Sequence, residues 1–343
     1  MESGEIRQLA SDSVLTYAPG ELRVLSVVPE ESPNGSIEQM FDIEREAGDV
    51  ILLDNLWRFQ TLEPNVLLLD QWQVTLNDRQ SRMNATMPGQ VNTYRTTFTM
   101  TQELIERLQS PSGRGLPDQS NNNSSPKIEF ILDDVEQKIP SHIGFLQRRR
   151  NLEIFVNGVR QNALQPSTWQ DQHYASVDIT PHLLAGENEL EILTVSLLEP
   201  MPAISFPAFL IGPFVIEDRM RLNASPEHMF GCWATAGYPY YAGAGEYSQQ
   251  VDLTQVSLAP DEELWLEAED IRETASLYVN DMEVGIRLWP PYHWDITPYV
   301  EQGSNWITIR AANTLENLYG KTALPSGMNG RVKLVRRTLS KRL

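Results

Sequence analysis

One cysteine, five histidines and no apolar run of membrane-spanning length are what this 343-residue chain has least of, and each scarcity excludes something. Cys232 cannot form an internal disulfide or a paired-thiolate metal site, and reads as a small buried residue. The histidines are scattered, without a His-Glu-x-x-His helix; His173 and His182 only flank a strand, so no metal centre is expected. Without about eighteen consecutive apolar residues there is no transmembrane helix, and MESGEIRQLA lacks the charged-then-apolar order of a signal peptide. A membrane is not an expected partner, and no compartment is assigned. Cations are scarce too: 27 Lys and Arg against 46 Asp and Glu give a formal charge of −19 and a pI near 4.7. A nucleic acid held by counterion release is therefore excluded as partner. There is no Gly-x-Ser-x-Gly elbow and no phosphate loop, and Gly243-Ala244-Gly245 precedes a strand rather than a helix, so it reads as a tight turn. No cofactor is implied.

What is present is strand grammar. Short alternating runs punctuated by Gly, Pro and Asn recur along the chain, and only Thr101 to Leu108 has helical spacing. Asn65 to Trp72, Tyr94 to Met100, Lys127 to Asp134 and Ala208 to Ile216 read as strands. Residues 1–55 contain Glu21 to Val28 and Val50 to Leu53, and predict an N-terminal β segment, the edge of a first sandwich or the remnant of a preceding domain. The polar stretch Ser110 to Pro126 cannot bury enough surface to order itself and reads as a surface loop within a domain.

One passage occurs twice. Glu153 to Gly158 matches Ser276 to Asp281, Val177 to Pro181 matches Trp294 to Pro298, and a strand follows each, Glu189 to Val195 or Trp306 to Ala311. The spacing is 123 residues at the Val-Asn pair and 117 at the Asp-Ile-Thr. A repeated hairpin, loop, turn and strand predicts two copies of one β domain, at 56–218 and 228–337, with a polar connector near Asp218 to Glu227. The expected class is all-β, two tandem sandwiches. Asp178 and Asp295 read as turn and cap residues, Thr297 as the cap of a short helical turn with Pro298 at its first position, and Trp265 and Trp306 as core or inter-sheet packing.

The segment GYPYYAGAGEYSQQVDL, followed by ASLYVNDMEVG and PYHWDITPYVEQGSNWITIRAANTLENLYG, resembles the galactose-binding-like jelly-roll domain that accompanies glycoside hydrolases. It is similar to the sugar-binding domain of the β-galactosidase/β-glucuronidase family, and more so to the C-terminal region of the large α-L-rhamnosidase-like family. In the latter, a Leu-x-Gly-x-Phe strand, here Leu210 to Phe214, precedes the Gly-Tyr-Pro segment, and a segment like Asn65 to Trp72 lies upstream. The resemblance covers roughly residues 56 to 335. It implies two tandem galactose-binding-like jelly-roll sandwiches in a non-catalytic region, whose partners are carbohydrate and a catalytic barrel domain or partner subunit. The family's catalytic carboxylates lie in that barrel and transfer to no residue here. Two alternatives stand beside it: a glycosidase-related enzyme or subunit whose barrel is not in this chain, and a purely structural interaction module.

Sugar rings stack C–H faces on flat aromatics and present hydroxyls to polar groups at the rim. The candidates for carbohydrate contact are therefore Trp289, Tyr292, His293 and Trp294 at one tip, Trp169, His173 and Tyr174 at the equivalent tip, and Tyr240 and Tyr241 in the Gly-Tyr-Pro segment. The competing reading is that aromatics beside proline pack the ends of a sandwich. The resemblance also allows a structural calcium, with Glu246 and Glu267 as candidate ligands; solvated strand carboxylates are the competing reading. Arg148 to Arg150 and the basic residues Lys333, Arg336, Arg337, Lys341 and Arg342 suit either an acidic partner face or edge protection against aggregation.

Overall fold

The alternating runs become strands, and the strands assemble four principal sheets joined two by two through separate cores. A computed structural model describes residues 45–53, 56–76, 85–86, 91–110, 126–133, 137–141, 144–148, 151–167, 169–171, 173–195, 201–202, 208–320 and 322–339. The protein is all-β in class. Among the described residues only Gln102–Gln109 and the single turn Glu316–Tyr319 are α-helical.

In the first sandwich one sheet runs Gln165–Pro166, Tyr174–Asp178, Glu129–Asp133, Ala208–Gly212, Asn65–Leu69. The other runs Val159–Arg160, Asn151–Val156, Gly186–Val195, Val91–Met100, Arg221–Ala224, Phe214–Asp218, with Gln73–Leu76 also on Val91–Met100. Period-two alternation sends Leu67, Phe130, Leu132 and Leu210 inward from one sheet to meet Tyr94, Phe98, Ile154 and Ile192 from the other. The helix begins where Thr101 Oγ1 accepts the Leu104 amide at 3.3 Å, and it buries Leu104, Ile105 and Leu108 on that core, as its spacing predicts.

The second sandwich pairs a sheet in the order Arg58–Thr61, Ala244–Asp252, Ser304–Ala312, Thr274–Val279, Met282–Arg287 with one in the order Arg45–Leu52, Val332–Leu339, Glu262–Ala268, Tyr292–Asp295. Its core contains Tyr247, Leu266, Leu277, Trp294, Ile307 and Leu334.

Several expectations need correction. Arg45–Leu52 is neither an edge of the first sandwich nor a separate remnant: it pairs antiparallel with Val332–Leu339. Arg58–Thr61, assigned above to the first copy, pairs with Ala244–Asp252. Both N-terminal strands cover edges of the second sandwich that would otherwise expose unpaired backbone. From Arg45 onward the described chain therefore begins in the second sandwich, crosses at Leu62 to Pro64, builds the first, and returns after Ala224. Ala208 to Ile216 is not one strand. Pro213 has no N–H to donate, so Ala208–Gly212 ends in one sheet and Phe214–Asp218 belongs to the other. Gly212 sits at the switch because a Cβ there would lie 2.9 Å from Ile128 Cγ1. The connector starts later than expected, since Arg221 and Leu222 still pair with Thr99 and Met100. Gly245 lies in a strand rather than a turn, and Cys232 is half-buried. Glu21 to Val28, residues 111–125, Arg149, Arg150, Lys341 and Arg342 lie outside the described residues.

The duplication extends to individual atoms. Asn280, at positive φ in its turn, donates from Nδ2 to Asn305 Oδ1 at 2.9 Å and to Tyr299 O at 3.1 Å, while its Oδ1 accepts Trp306 N at 3.0 Å. Asn157 repeats all three bonds, to Asn188 Oδ1 at 2.9 Å, to His182 O at 2.8 Å and from Glu189 N at 2.9 Å. Asn188 and Asn305 are fully buried and tie the loops just before them through further bonds to the backbone of Leu184 and Glu301. Asp178 and Asp295 accept the amides of Thr180 and Thr297 at 2.9 and 3.0 Å, the turn role expected of them. Thr297 does not cap its short helix: its hydroxyl accepts Leu264 N at 2.8 Å, as Thr180 accepts Ile128 N at 2.7 Å, so each threonine links its turn to a strand.

Candidate functional site

The two aromatic tips have different fates. In Tyr292–Asp295 the alternation of a strand governs: Tyr292 and Trp294 point inward, 2% and 1% exposed, with Tyr292 OH donating to Glu273 O at 2.7 Å and Trp294 Nε1 to Gly285 O at 3.0 Å. They are core residues, which removes them as sugar contacts. His293 points outward, half-buried, 3.9 Å from Glu267; desolvation pushes its pKa down more than that carboxylate raises it. Trp289 is half exposed and stands apart from the buried pair. Trp306, expected in the core or between the sheets, lies on the outer face 6.0 Å from the Arg58 guanidinium, and Trp265 is stacked under Arg337 at 4.2 Å.

At the other tip the aromatics form a seam between the sandwiches. The outer face of the five-stranded sheet presents Val66, Ile131, Phe209 and Ile211, and Tyr174, Ala242 and Leu318 bury against them, with Trp169 and Tyr240 partly buried beside them. Trp169 meets Phe209 edge-on at 5.4 Å, and Tyr174 meets Phe209 edge-on at 5.9 Å. Tyr174 OH lies 3.3 Å from Tyr319 OH. His173 stays exposed, its Nδ1 2.7 Å from Asp171 Oδ1.

Beside this seam opens a cleft of ≈ 300 Å³ lined by Glu63, Gln170, Ala242, Gly243, Asn313, Thr314 and Leu315. Its floor is tightly tied. Tyr241, fully buried, donates to Glu63 Oε2 at 2.8 Å, and the same oxygen accepts Ala244 N at 2.8 Å. Burial and the neighbouring Glu63 carboxylate push the Tyr241 phenol far up, so it stays a neutral donor. Asn313 accepts Gly243 N at 2.9 Å and donates to Tyr241 O at 2.8 Å, while Gln170 donates to Ala242 O at 3.3 Å from a backbone at positive φ. The result is a carboxylate, two amides and a hydroxyl around one opening, with the buried Trp169 indole N–H nearby unpartnered among the described residues. Of the predicted site residues, Trp169, Tyr174, Tyr240 and Tyr241 are brought to this region; Trp289, Tyr292, His293 and Trp294 are not. Glu63, Gln170, Asn313 and Thr314 carried no signal of their own, because they converge from three separate loops.

The carboxylates considered for calcium belong to different sheets and already have cations. Glu246 takes Arg310 at 2.7 Å and Gln60 at 2.9 Å; Glu267 takes Arg337 at 2.5 Å and Lys333 at 3.1 Å. That donor set does not suit a calcium ion, which needs six or more oxygens. Among the described residues no group of three or more His, Cys, Asp or Glu converges for a metal.

No family model matches the sequence, and no curated protein does. The solved structures matched include a glycosyl hydrolase family 2 member from Bacteroides cellulosilyticus, at 19% identity over 32% of this chain and 16% of that one, TM-score 0.25. Bifidobacterium dentium β-glucuronidase matches at 17% identity over 33% and 25%, TM-score 0.27, and a rhamnosidase from Novosphingobium sp. PP1Y at 15% over 78% and 25%, TM-score 0.28. The chain spans a quarter or less of the length of these three. All three are glycoside hydrolases by name, and at such TM-scores the likeness carries no argument about function. Among the described residues no helix is long and apolar enough to cross a membrane.

Proposed function

We propose that this chain is a non-catalytic, carbohydrate-binding region of a glycoside hydrolase-like protein, and that the seam cleft is its sugar site. The observation that carries the reading is the polar lining: Glu63, Gln170, Asn313 and Thr314 supply carboxylate, amide and hydroxyl groups around one open cleft. Vicinal sugar hydroxyls donate and accept side by side, which is what planar carboxylates and amides match. The anchored floor supports it as well, because a preorganised site loses less entropy on binding.

Calorimetry against plant and bacterial oligosaccharides tests the site. Gln170→Gly, which keeps the positive φ, and Thr314→Val should each weaken binding about tenfold, roughly 1.4 kcal/mol. Trp289→Ala should leave it unchanged. Absence of binding to every glycan refutes the sugar reading, and loss in Trp289→Ala alone moves the site to the other tip. A scaffolding role is favoured by a different observation, the burial of Tyr174 and partial burial of Trp169 and Tyr240 in the seam; it predicts a stable fold with no glycan affinity.

A further inference from the structure

The first sandwich has a polar corner that its duplicate lacks. Asn92 and Thr194 face each other across Val91–Met100 and Gly186–Val195, and Tyr94 lies two residues along the same face. They are 1%, 4% and 2% exposed, and among the described residues neither the Asn92 amide, the Thr194 hydroxyl nor the Tyr94 hydroxyl has a hydrogen-bond partner. Burial pushes the Tyr94 phenol up, and Asn92 beside it offsets part of that rise without completing a bond.

Register gives the comparison. With Asn188 aligned on Asn305, Thr194 corresponds to Ala311, Asn92 to Gly245 and Tyr94 to Tyr247. In the second sandwich this corner is closed by aromatic rings. A Cβ on Gly245 would lie 2.5 Å from Trp233 and 2.7 Å from Phe59, and Tyr247 OH accepts Trp233 Nε1 at 2.5 Å and Met328 N at 3.2 Å. The first sandwich keeps the tyrosine but replaces Gly and Ala by Asn and Thr. An unsatisfied buried polar group is destabilising, so three side chains without partners among the described residues, where the sister copy is sealed, mark a place where partners belong.

We propose that this corner is a binding site for neutral hydroxyl groups, supplied by ordered water or by a sugar. Asn92, Tyr94 and Thr194 offer donors and acceptors together and carry no charge. A hydroxyl, which both donates and accepts, satisfies that set, whereas an ion would lack a counter-charge among them.

The test is the sign of a stability change in Thr194→Val and Asn92→Leu, which remove the polar groups at nearly constant shape. If the groups hold bound hydroxyls, the thermal midpoint falls; if they are unpartnered, it rises, and the proposal is overturned. Thr194→Ser keeps the hydroxyl and should stay close to wild type; a fall as large as that of Thr194→Val would assign the effect to packing and also overturn it. Glycerol and methyl galactoside separate the two sources. A midpoint raised by either in wild type but not in Thr194→Val identifies a sugar or polyol hydroxyl, and no response alongside a destabilised Thr194→Val identifies water. Gln170→Gly should leave all these shifts in place, so failure here is distinct from failure of the cleft.

Discussion

Asn305 shows what a single side chain can hold in this fold. Its amide accepts Glu301 N at 2.8 Å and donates to Glu301 O at 2.7 Å and Gly303 O at 3.0 Å, with Asn280 donating to the same Oδ1. Asn305→Ala leaves these groups buried without partners and should cost about 3 kcal/mol in urea unfolding, as should Asn188→Ala in the other copy. Glu267 gives a pH signature. Desolvation pushes its carboxyl up, but hydrogen bonds from Arg337 and Lys333 outweigh it, leaving the group below its ordinary value. A depressed carboxyl stabilises the fold above its unfolded pKa, and that stability is lost as pH falls through the folded value. Glu267→Gln should therefore be less stable at neutral pH and show a flatter decline below about pH 4.5, read by denaturant titration at each pH. At this scale Asn280 and Asp295 were legible as turn residues, because their chemistry is local. Their distant partners were not: Asn305 lies on another strand. The aromatic content of Tyr292-His293-Trp294 suggests a loop tip, but its alternation puts the two large rings on one face, and in the strand that face is buried.

At the scale of elements, legibility followed length and locality. The helix after Thr101 was readable because the cap and the 3.6-residue period lie within one segment. Arg58–Thr61 was assigned to the wrong sandwich, since four residues carry too little pattern to name a neighbour nearly two hundred positions away. Gly243-Ala244-Gly245 reads as a tight turn because a strand rather than a helix follows it, whereas Gly245 is itself a strand residue whose missing Cβ admits Trp233 and Phe59. Gly245→Ala should accordingly destabilise by about 1–3 kcal/mol through overpacking and change the near-ultraviolet circular dichroism of the rings it displaces.

For the molecule as a whole, the repeat predicted two copies of one β plan, and the structure has two cores, each enclosed by a pair of sheets. What the sequence could not display was the seam, because Val66, Ile131, Tyr174, Phe209, Ala242 and Leu318 lie far apart along the chain and meet only once the strands are assembled. Burial on both faces makes Ala208–Gly212 common to both sandwiches, so calorimetry should show one cooperative transition. Trp169→Ala, which opens the seam without touching either core, should split it into two.

The pairing of Arg45–Leu52 with Val332–Leu339 has a temporal meaning. A ribosome delivers the chain from its N-terminus, so the strand that begins the second sandwich emerges nearly three hundred residues before its mate. The first sandwich is completed in between. Its sister must wait: Arg58–Thr61 stays exposed until Ala244–Asp252 is made and Arg45–Leu52 until Val332–Leu339 is, and the nascent chain is most vulnerable to aggregation during that interval.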